Sequence, residues 1–156
     1  MASRHEYIQK LREFPAQLEA RVTPLTDEQL DQREAETEWS ARQIVHHLAD
    51  SHMSANFRFR LPLTEPPIPK LPTYDQDAWA LMPDYQLPLE PSLLILRGLH
   101  ARWVALLEAL PDDQWTCVGV HPEWGKVSVE DVAFRYADHC DNHMAQINRI
   151  GAKYGW

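Results

Sequence analysis

Apolar residues recur at the spacing of an amphipathic α-helix in four long segments, and this periodicity is the strongest constraint on the fold. The first segment predicts a helix over residues 4–22. The second begins behind Ser40, which forms a capping box with Gln43, and we expect it to end by Pro62 because proline breaks a helix interior.

The third helix is expected from Ser92 until Pro111 stops it, and the fourth begins behind the capping residue Ser128. Four long helices joined by connections of unequal length predict an all-α fold, an antiparallel four-helix bundle.

Two connections are long and irregular. The segment Thr116 to Val129 contains alternating valines around a turn and suits a small β-hairpin or an irregular arm. The connection after the second helix is rich in proline, and we interpret it as an ordered crossover or as a lid. The crossover, a stiff extended connection, is the favoured interpretation. Its prolines stand at 62, 66, 67, 69 and 72.

Size and composition bound the class of protein. With 156 residues, 44% of them apolar and 24% charged, the chain suits one folded domain over residues 1–156. The formal charge of −8 disfavours a nucleic-acid partner. No apolar run suits a membrane span or a signal peptide, and two distant cysteines fit a reducing compartment, so we expect a cytoplasmic protein.

The eight histidines are the unusual part of the composition. His139 and His143 are four residues apart in the fourth helix, so their side chains project from one face, one turn apart. A helix uses this spacing to give two imidazoles to one metal. Two partly buried histidines with hydrogen-bond partners, or an exposed pair, would show the same pattern.

The second helix offers a third ligand. Its inward stripe places His47 along one edge, so His47 is the candidate, whereas His46 falls roughly opposite and is expected to face solvent. His52, near the other edge, is interpreted as a hydrogen-bonding or surface histidine, with metal ligation as the less favoured alternative. The stripe consists of Ile44, Leu48, Ala55 and Phe59. The remaining histidines, interpreted as structural or surface residues, are His5, His100 and His121.

Three imidazoles leave at least one position open in a four-coordinate site, which is typical of catalytic metals. Nitrogen ligands suit zinc, nickel, copper or iron. Asp50, one turn after His47, either accepts a hydrogen bond that orients this imidazole and shuttles a proton, or is a solvated acid on the helix flank. Cys140 is expected to be buried and not to act as a ligand.

At these residues the sequence resembles the DinB-like, YfiT-type group of metal-dependent hydrolases, which overlaps the thiol S-transferases that use bacillithiol-like cofactors. The resemblance covers most of the chain from about Trp39 onward. The matching features are Trp39-Ser40, the run from His46 to Met53, Phe57-Arg58-Phe59-Arg60, Pro72-x-Tyr74-Asp75 with Trp79, Gly98-Leu99-His100-x-Arg102-Trp103, His121-Pro122 and His139-x-x-x-His143.

The resemblance implies a four-helix bundle, frequently a homodimer, with three metal-binding histidines that correspond to His47, His139 and His143. We expect one divalent metal per chain, zinc first and nickel as the alternative, and a small-molecule substrate.

Three functions remain open from the sequence. The first is a hydrolase in which the metal activates water. The second is a thiol S-transferase in which a low-molecular-weight thiol binds at the open position. The third is a non-catalytic metal-binding bundle, which requires a fourth protein ligand that the sequence does not offer.

Overall fold

The computed structural model describes residues 3–65 and 67–156. Met1, Ala2 and Pro66, the last of which belongs to the predicted proline-rich crossover, lie outside the described residues. In chain order, the elements are α1 (Arg4–Val22), α2 (Asp27–Leu30), α3 (Ala41–Thr64), α4 (Gln76–Trp79), α5 (Glu90–Ala109), β1 (Val118–His121), β2 (Gly125–Ser128) and α6 (Val129–Tyr154), with 3₁₀ turns at Pro83–Gln86 and Asp112–Thr116.

The four long helices pack as a bundle, which confirms the predicted fold class. Helices α1 and α3 each pack against both α5 and α6, so the apolar stripes of all four meet in one core. Among the residues that the structure describes, no helix has both the length and the apolar character of a membrane span.

Three of the four long helices begin behind a serine cap, as the sequence predicts. The exception is α5, which begins at Glu90, two residues before the predicted start at Ser92, and whose N-cap residue Leu89 forms no side-chain cap hydrogen bond. At the start of α3, the Ser40 hydroxyl accepts the backbone N–H of Gln43 at 3.2 Å, and the Gln43 side chain accepts the backbone N–H of Ser40 at 3.0 Å. Ser128 and Asp131 form the same reciprocal box at the start of α6.

The predicted end of α3 is wrong by two residues. The helix runs through Pro62 to Thr64. Proline removes only its own N–H donor, and the backbone N–H of Glu65 still reaches the carbonyl of Leu61 at 2.9 Å, so the last turn closes beyond the proline.

The chain forms the hairpin, and the described part of the crossover pairs with one of its strands. Strands β1 and β2 pair antiparallel, which confirms the predicted hairpin. The crossover pairs with β1, because the backbone N–H of Leu71 donates to the carbonyl of Val120 at 2.8 Å and that of Val120 donates to Pro69 at 2.9 Å. Gly119 permits this approach, since a Cβ there would lie 2.7 Å from a methyl group of Leu71.

Two histidines form part of the bundle core. His52 is 0% exposed and His100 is 1% exposed. The His100 ring stacks on Phe14 with a centroid distance of 5.6 Å, and the His52 ring lies 5.3 Å from Trp103. Burial lowers the pKa of His100 to about 4 and holds the pKa of His52 well below its usual value, so both rings are neutral near pH 7.

The buried histidines predict acid-sensitive stability of the metal-free protein. A histidine whose folded pKa is depressed stabilises the fold above its unfolded pKa of about 6.5, and this contribution is lost as the pH falls. For His100 the loss extends from about pH 6.5 to its folded pKa of about 4 and amounts to about 3 kcal/mol. Denaturant titrations at pH 7, 6, 5 and 4 measure it.

The exposed His5 provides the control for this measurement. The His5→Asn variant is expected to keep the pH dependence of the wild-type protein. A free energy of unfolding that stays constant between pH 7 and pH 4 would contradict the burial of neutral histidines.

Candidate metal centre

The structure brings the three predicted ligands together between α3 and α6. His47 lies on α3, and His139 and His143 lie one turn apart on α6. The Nε2 atom of His139 is 3.3 Å from Nε2 of His47 and 3.2 Å from Nε2 of His143. One ligating atom of each ring lies within 4.8 Å of the other two.

The outer nitrogens of two of these rings face oxygen atoms. Nδ1 of His143 lies 3.0 Å from Oε1 of Gln146, an oxygen that can only accept, so this Nδ1 carries the proton. Nδ1 of His47 lies 3.4 Å from the hydroxyl of Tyr74, which can accept in the same way. With the Nδ1–H tautomer at both rings, each Nε2 lone pair is directed toward the other histidines.

The third ring is held by a chain of hydrogen bonds through the core. The carbonyl of Leu11 can only accept, so Nδ1 of His100 donates to it at 2.5 Å, and Nε2 of His100 is left to accept from Nδ1 of His52 at 2.9 Å. Nε2 of His52 then accepts from Nδ1 of His139 at 3.3 Å. One backbone carbonyl therefore determines, through two neutral imidazoles, that Nε2 of His139 is unprotonated.

Three Nε2 lone pairs thus converge on one point. Burial lowers the pKa of His47 to about 3, holds that of His139 well below its usual range and lowers that of His143, so all three rings are neutral near pH 7. Facing lone pairs repel unless a cation lies between them. Tetrahedral zinc with Zn–N bonds of about 2.0–2.1 Å requires nitrogen atoms about 3.3 Å apart, and the two separations from Nε2 of His139 have this length.

Aromatic rings and a cavity define the surroundings. The Trp39 ring covers one side, with centroid distances of 4.5 Å to His47 and 6.4 Å to His143. On the other side His139 borders a cavity of about 590 Å³, a size that suits a small-molecule ligand. The residues that line this cavity include Ser51, Arg58, Tyr74, His121, Trp124, Arg135 and Tyr136, together with the acidic residues Asp75, Asp77, Glu123 and Asp138.

The expected role of Asp50 in orienting His47 is wrong. The Asp50 carboxylate accepts a hydrogen bond from the hydroxyl of Tyr85 at 2.6 Å, and burial raises its pKa. The group at Nδ1 of His47 is Tyr74, which arrives from the crossover. Sequence spacing within α3 could not show this contact, because Tyr74 approaches from another segment.

The prediction that His46 faces solvent is also wrong. His46 is 6% exposed, and its ring nitrogens contact the hydroxyl of Ser92 at 2.7 Å and the carbonyl of Leu87 at 3.0 Å. A helical wheel places residues relative to the bundle core only. Here the connection before α5 covers the opposite face of α3.

The remaining histidines and Cys140 have varied surroundings. His52 forms hydrogen bonds, as the hydrogen-bonding interpretation predicted. His121 is buried, whereas His5 is exposed. Cys140 is buried as expected and lies near His52 and His100, with potential ligating atoms within 4.8 Å of one another. Both nitrogens of each of these two histidines already have hydrogen-bond partners, so this group does not offer free lone pairs.

Comparisons with known proteins agree with this architecture. The family model of the DinB superfamily matches residues 10–147. "Putative metal-dependent hydrolase YfiT" of Bacillus subtilis (strain 168) is 40% identical over 154 residues, which are 97% of this chain and 85% of that protein. "Putative metal-dependent hydrolase OB0782" of Oceanobacillus iheyensis is 38% identical over 152 residues, covering 97% of this chain and 88% of that protein.

A solved structure has the same fold. It is described as "YfiT from Bacillus subtilis is a probable metal-dependent hydrolase with an unusual four-helix bundle topology", and it superposes with a TM-score of 0.94 at 38% identity. The match covers 100% of this chain and 91% of that one. The family match, the sequence identity and the shared fold together show that the chain belongs to the DinB superfamily.

Proposed function

We propose that this protein is a metal-dependent hydrolase in which His47, His139 and His143 hold one divalent metal. The observation that carries the proposal is the convergence of three Nε2 atoms, two of whose separations, 3.3 and 3.2 Å, suit a tetrahedral site. The names of the relatives, which describe metal-dependent hydrolases, support the same activity.

The donor set favours zinc, with nickel as the alternative, because three neutral imidazoles suit metals of intermediate softness. Three protein ligands leave a coordination position for an exchangeable molecule. A metal bound here would lower the pKa of a coordinated water to about 7 and would thereby supply hydroxide near neutral pH.

The surrounding residues would hold the ligands and control access. Gln146, Tyr74 and His52 accept from the three Nδ1 atoms and so fix the orientation of the rings. Trp39 covers one side and limits the approach of water there. The substrate would reach the site from the cavity at His139.

Thiol transfer is a second candidate, favoured by the engagement in hydrogen bonds of three of the four carboxylates that line the cavity, those of Asp75, Glu123 and Asp138. Asp75 accepts the backbone N–H of Ala78, and Asp138 accepts from the Asn142 amide. A hydrolase needs a group that moves protons, whereas a thiolate at the open position would attack an electrophile directly. The thiol would come from another molecule, because Cys140 is buried with a raised pKa.

Metal analysis tests the ligand set. Purified protein loaded with zinc and desalted is expected to hold about one equivalent per chain, and the His139→Ala variant is expected to hold less than about one tenth of this, because two imidazoles bind far more weakly than three. The His46→Gln variant, which changes a buried histidine outside the centre, should retain the metal. Full retention by His139→Ala would reject the assignment.

The hydrogen-bond chain through the core predicts a remote effect on metal affinity. Replacing His100 by phenylalanine removes the acceptor for Nδ1 of His52, so the proton on His52 can move to Nε2 and oppose the Nδ1–H of His139. We expect zinc to bind about 10- to 100-fold more weakly. Competition with a chromophoric chelator measures the affinity.

The control for this effect separates positioning from general destabilisation. His46→Gln also disturbs a buried histidine but should leave the zinc affinity unchanged. In the His100→Phe variant, ¹⁵N chemical shifts are expected to show a mixture of His139 tautomers. A variant that remains folded with wild-type zinc affinity and a single Nδ1–H tautomer would show that the chain of imidazoles has no such role.

A paired assay separates the two candidate reactions. The zinc-loaded protein is incubated with an ester panel, and separately with an electrophilic dye in the presence and absence of a low-molecular-weight thiol. We expect ester cleavage without thiol, lost in His139→Ala. Turnover that occurs only on the electrophile and only with thiol would replace hydrolysis by thiol transfer.

A further inference from the structure

One wall of the cavity groups three nitrogen-rich side chains around a single indole. The His121 ring stacks on Trp124 with a centroid distance of 3.9 Å and an interplanar angle of 12°. The guanidinium carbons of Arg58 and Arg135 lie 4.9 Å and 4.8 Å from the centroid of the same ring. We call these four residues the Trp124 cluster, and all of them line the cavity that His139 borders.

Arg58 brings a buried positive charge to this cluster. Its side chain donates to the carbonyl of Pro72 at 3.1 and 2.9 Å and to the hydroxyl of Tyr136, all of which are neutral acceptors. The residue is only 4% exposed, and no carboxylate among the described residues forms a salt bridge with it. A buried cation without a counter-ion is costly unless an anion is supplied.

His121 brings a donor that has no acceptor. Its Nδ1 accepts the backbone N–H groups of Glu123 at 3.2 Å and Trp124 at 3.4 Å, so its proton lies on Nε2. That Nε2 atom is buried and has no hydrogen-bond partner among the described residues, in a side chain only 1% exposed. Unpartnered buried donors are rare in folded proteins and indicate a missing acceptor.

Arg135 completes the cluster from α6. It is exposed, and none of the salt bridges within the described part of the chain includes it. Its guanidinium is therefore available to a ligand on the cavity side of Trp124.

We propose that the Trp124 cluster binds a carboxylate group of the small molecule on which the metal centre acts. Arg135 would pair with the carboxylate, Nε2–H of His121 would donate to one of its oxygens, and the buried charge of Arg58 would be neutralised. Guanidinium and imidazole donors to a carboxylate form charge-assisted hydrogen bonds, which are stronger than neutral ones.

The acidic residues of the cavity do not oppose this assignment. Four acidic residues line the cavity, Asp75, Asp77, Glu123 and Asp138, and all four are exposed. Asp75 and Asp138 accept from Ala78 and from Asn142, as described above, and Glu123 accepts from the Thr73 hydroxyl at 3.4 Å. Charges that remain in water are strongly screened, whereas the charge of Arg58 is buried.

The position of the cluster orients the ligand toward the metal centre. Arg58 contacts the Tyr136 hydroxyl, and the Tyr136 ring lies 5.6 Å from the His139 ring. A molecule anchored by its carboxylate at the cluster would extend its next groups toward His139. The carboxylate site rests on the proposed function only in that its ligand is taken to be the substrate.

A shape-matched pair of probes tests the site in metal-free protein, from which the chelator has been removed. Phenylacetate and phenylacetamide have nearly the same shape and differ in charge. We expect calorimetric titration to show phenylacetate binding at least about 10-fold more tightly than the amide, because only the carboxylate can form charge-assisted hydrogen bonds. Equal affinities for the two probes would overturn the proposal.

Two variants with the same change of charge complete the experiment. Arg135→Gln is expected to weaken phenylacetate binding about 10-fold and to leave the amide unaffected. Arg102→Gln removes an exposed arginine of α5 that does not line this cavity, and it should bind phenylacetate within twofold of the wild-type protein. Loss of affinity in both variants alike, or in neither, would contradict a localised site.

A failure of this site can be distinguished from a failure of the proposed function. The titration uses no metal, so it does not depend on hydrolysis or on zinc binding. Normal zinc retention together with equal probe affinities would reject the carboxylate site alone. Selective carboxylate binding by a protein that retains no zinc would reject the metal centre alone.

Discussion

The candidate site depends on the direction of hydrogen bonds behind three imidazoles. Each Nδ1 faces an acceptor, so each Nε2 lone pair points to the gap between α3 and α6. The acceptor for His139 is itself fixed by a chain that ends at the carbonyl of Leu11 in α1. Since α1 packs against α5 and α6, the arrangement requires all four long helices, and metal binding at this site would be coupled to folding.

The same arrangement explains why a small bundle contains so many buried histidines. Neutral imidazoles in the core need partners for both nitrogens, and His52 and His100 satisfy each other while they pack against Phe14 and Trp103. A core of leucine alone would serve stability better but could not fix the tautomer of His139. The cost is a fold that loses stability in acid, when the buried rings must be protonated.

The sequence predicted the features that follow from local periodicity. Capping boxes and apolar spacing located the helices. Helical-wheel positions directed His47 of one helix and His139 and His143 of another toward the bundle interior, where the structure places them. The helical wheel failed for His46 and Asp50, whose partners Ser92 and Tyr85 belong to other segments. The positions of Tyr74, Arg58 and His121 at the site could not be predicted either. They arise where the crossover and the hairpin meet α3 and α6, and helical spacing carries no information about such contacts.

X-ray absorption spectroscopy of the zinc-loaded protein at the zinc edge can decide whether three imidazoles bind the metal. We expect three imidazole nitrogens at about 2.0–2.1 Å together with one or two light atoms from exchangeable ligands. Scattering from sulfur, or a first coordination sphere with four imidazoles, would contradict a centre built on His47, His139 and His143 alone.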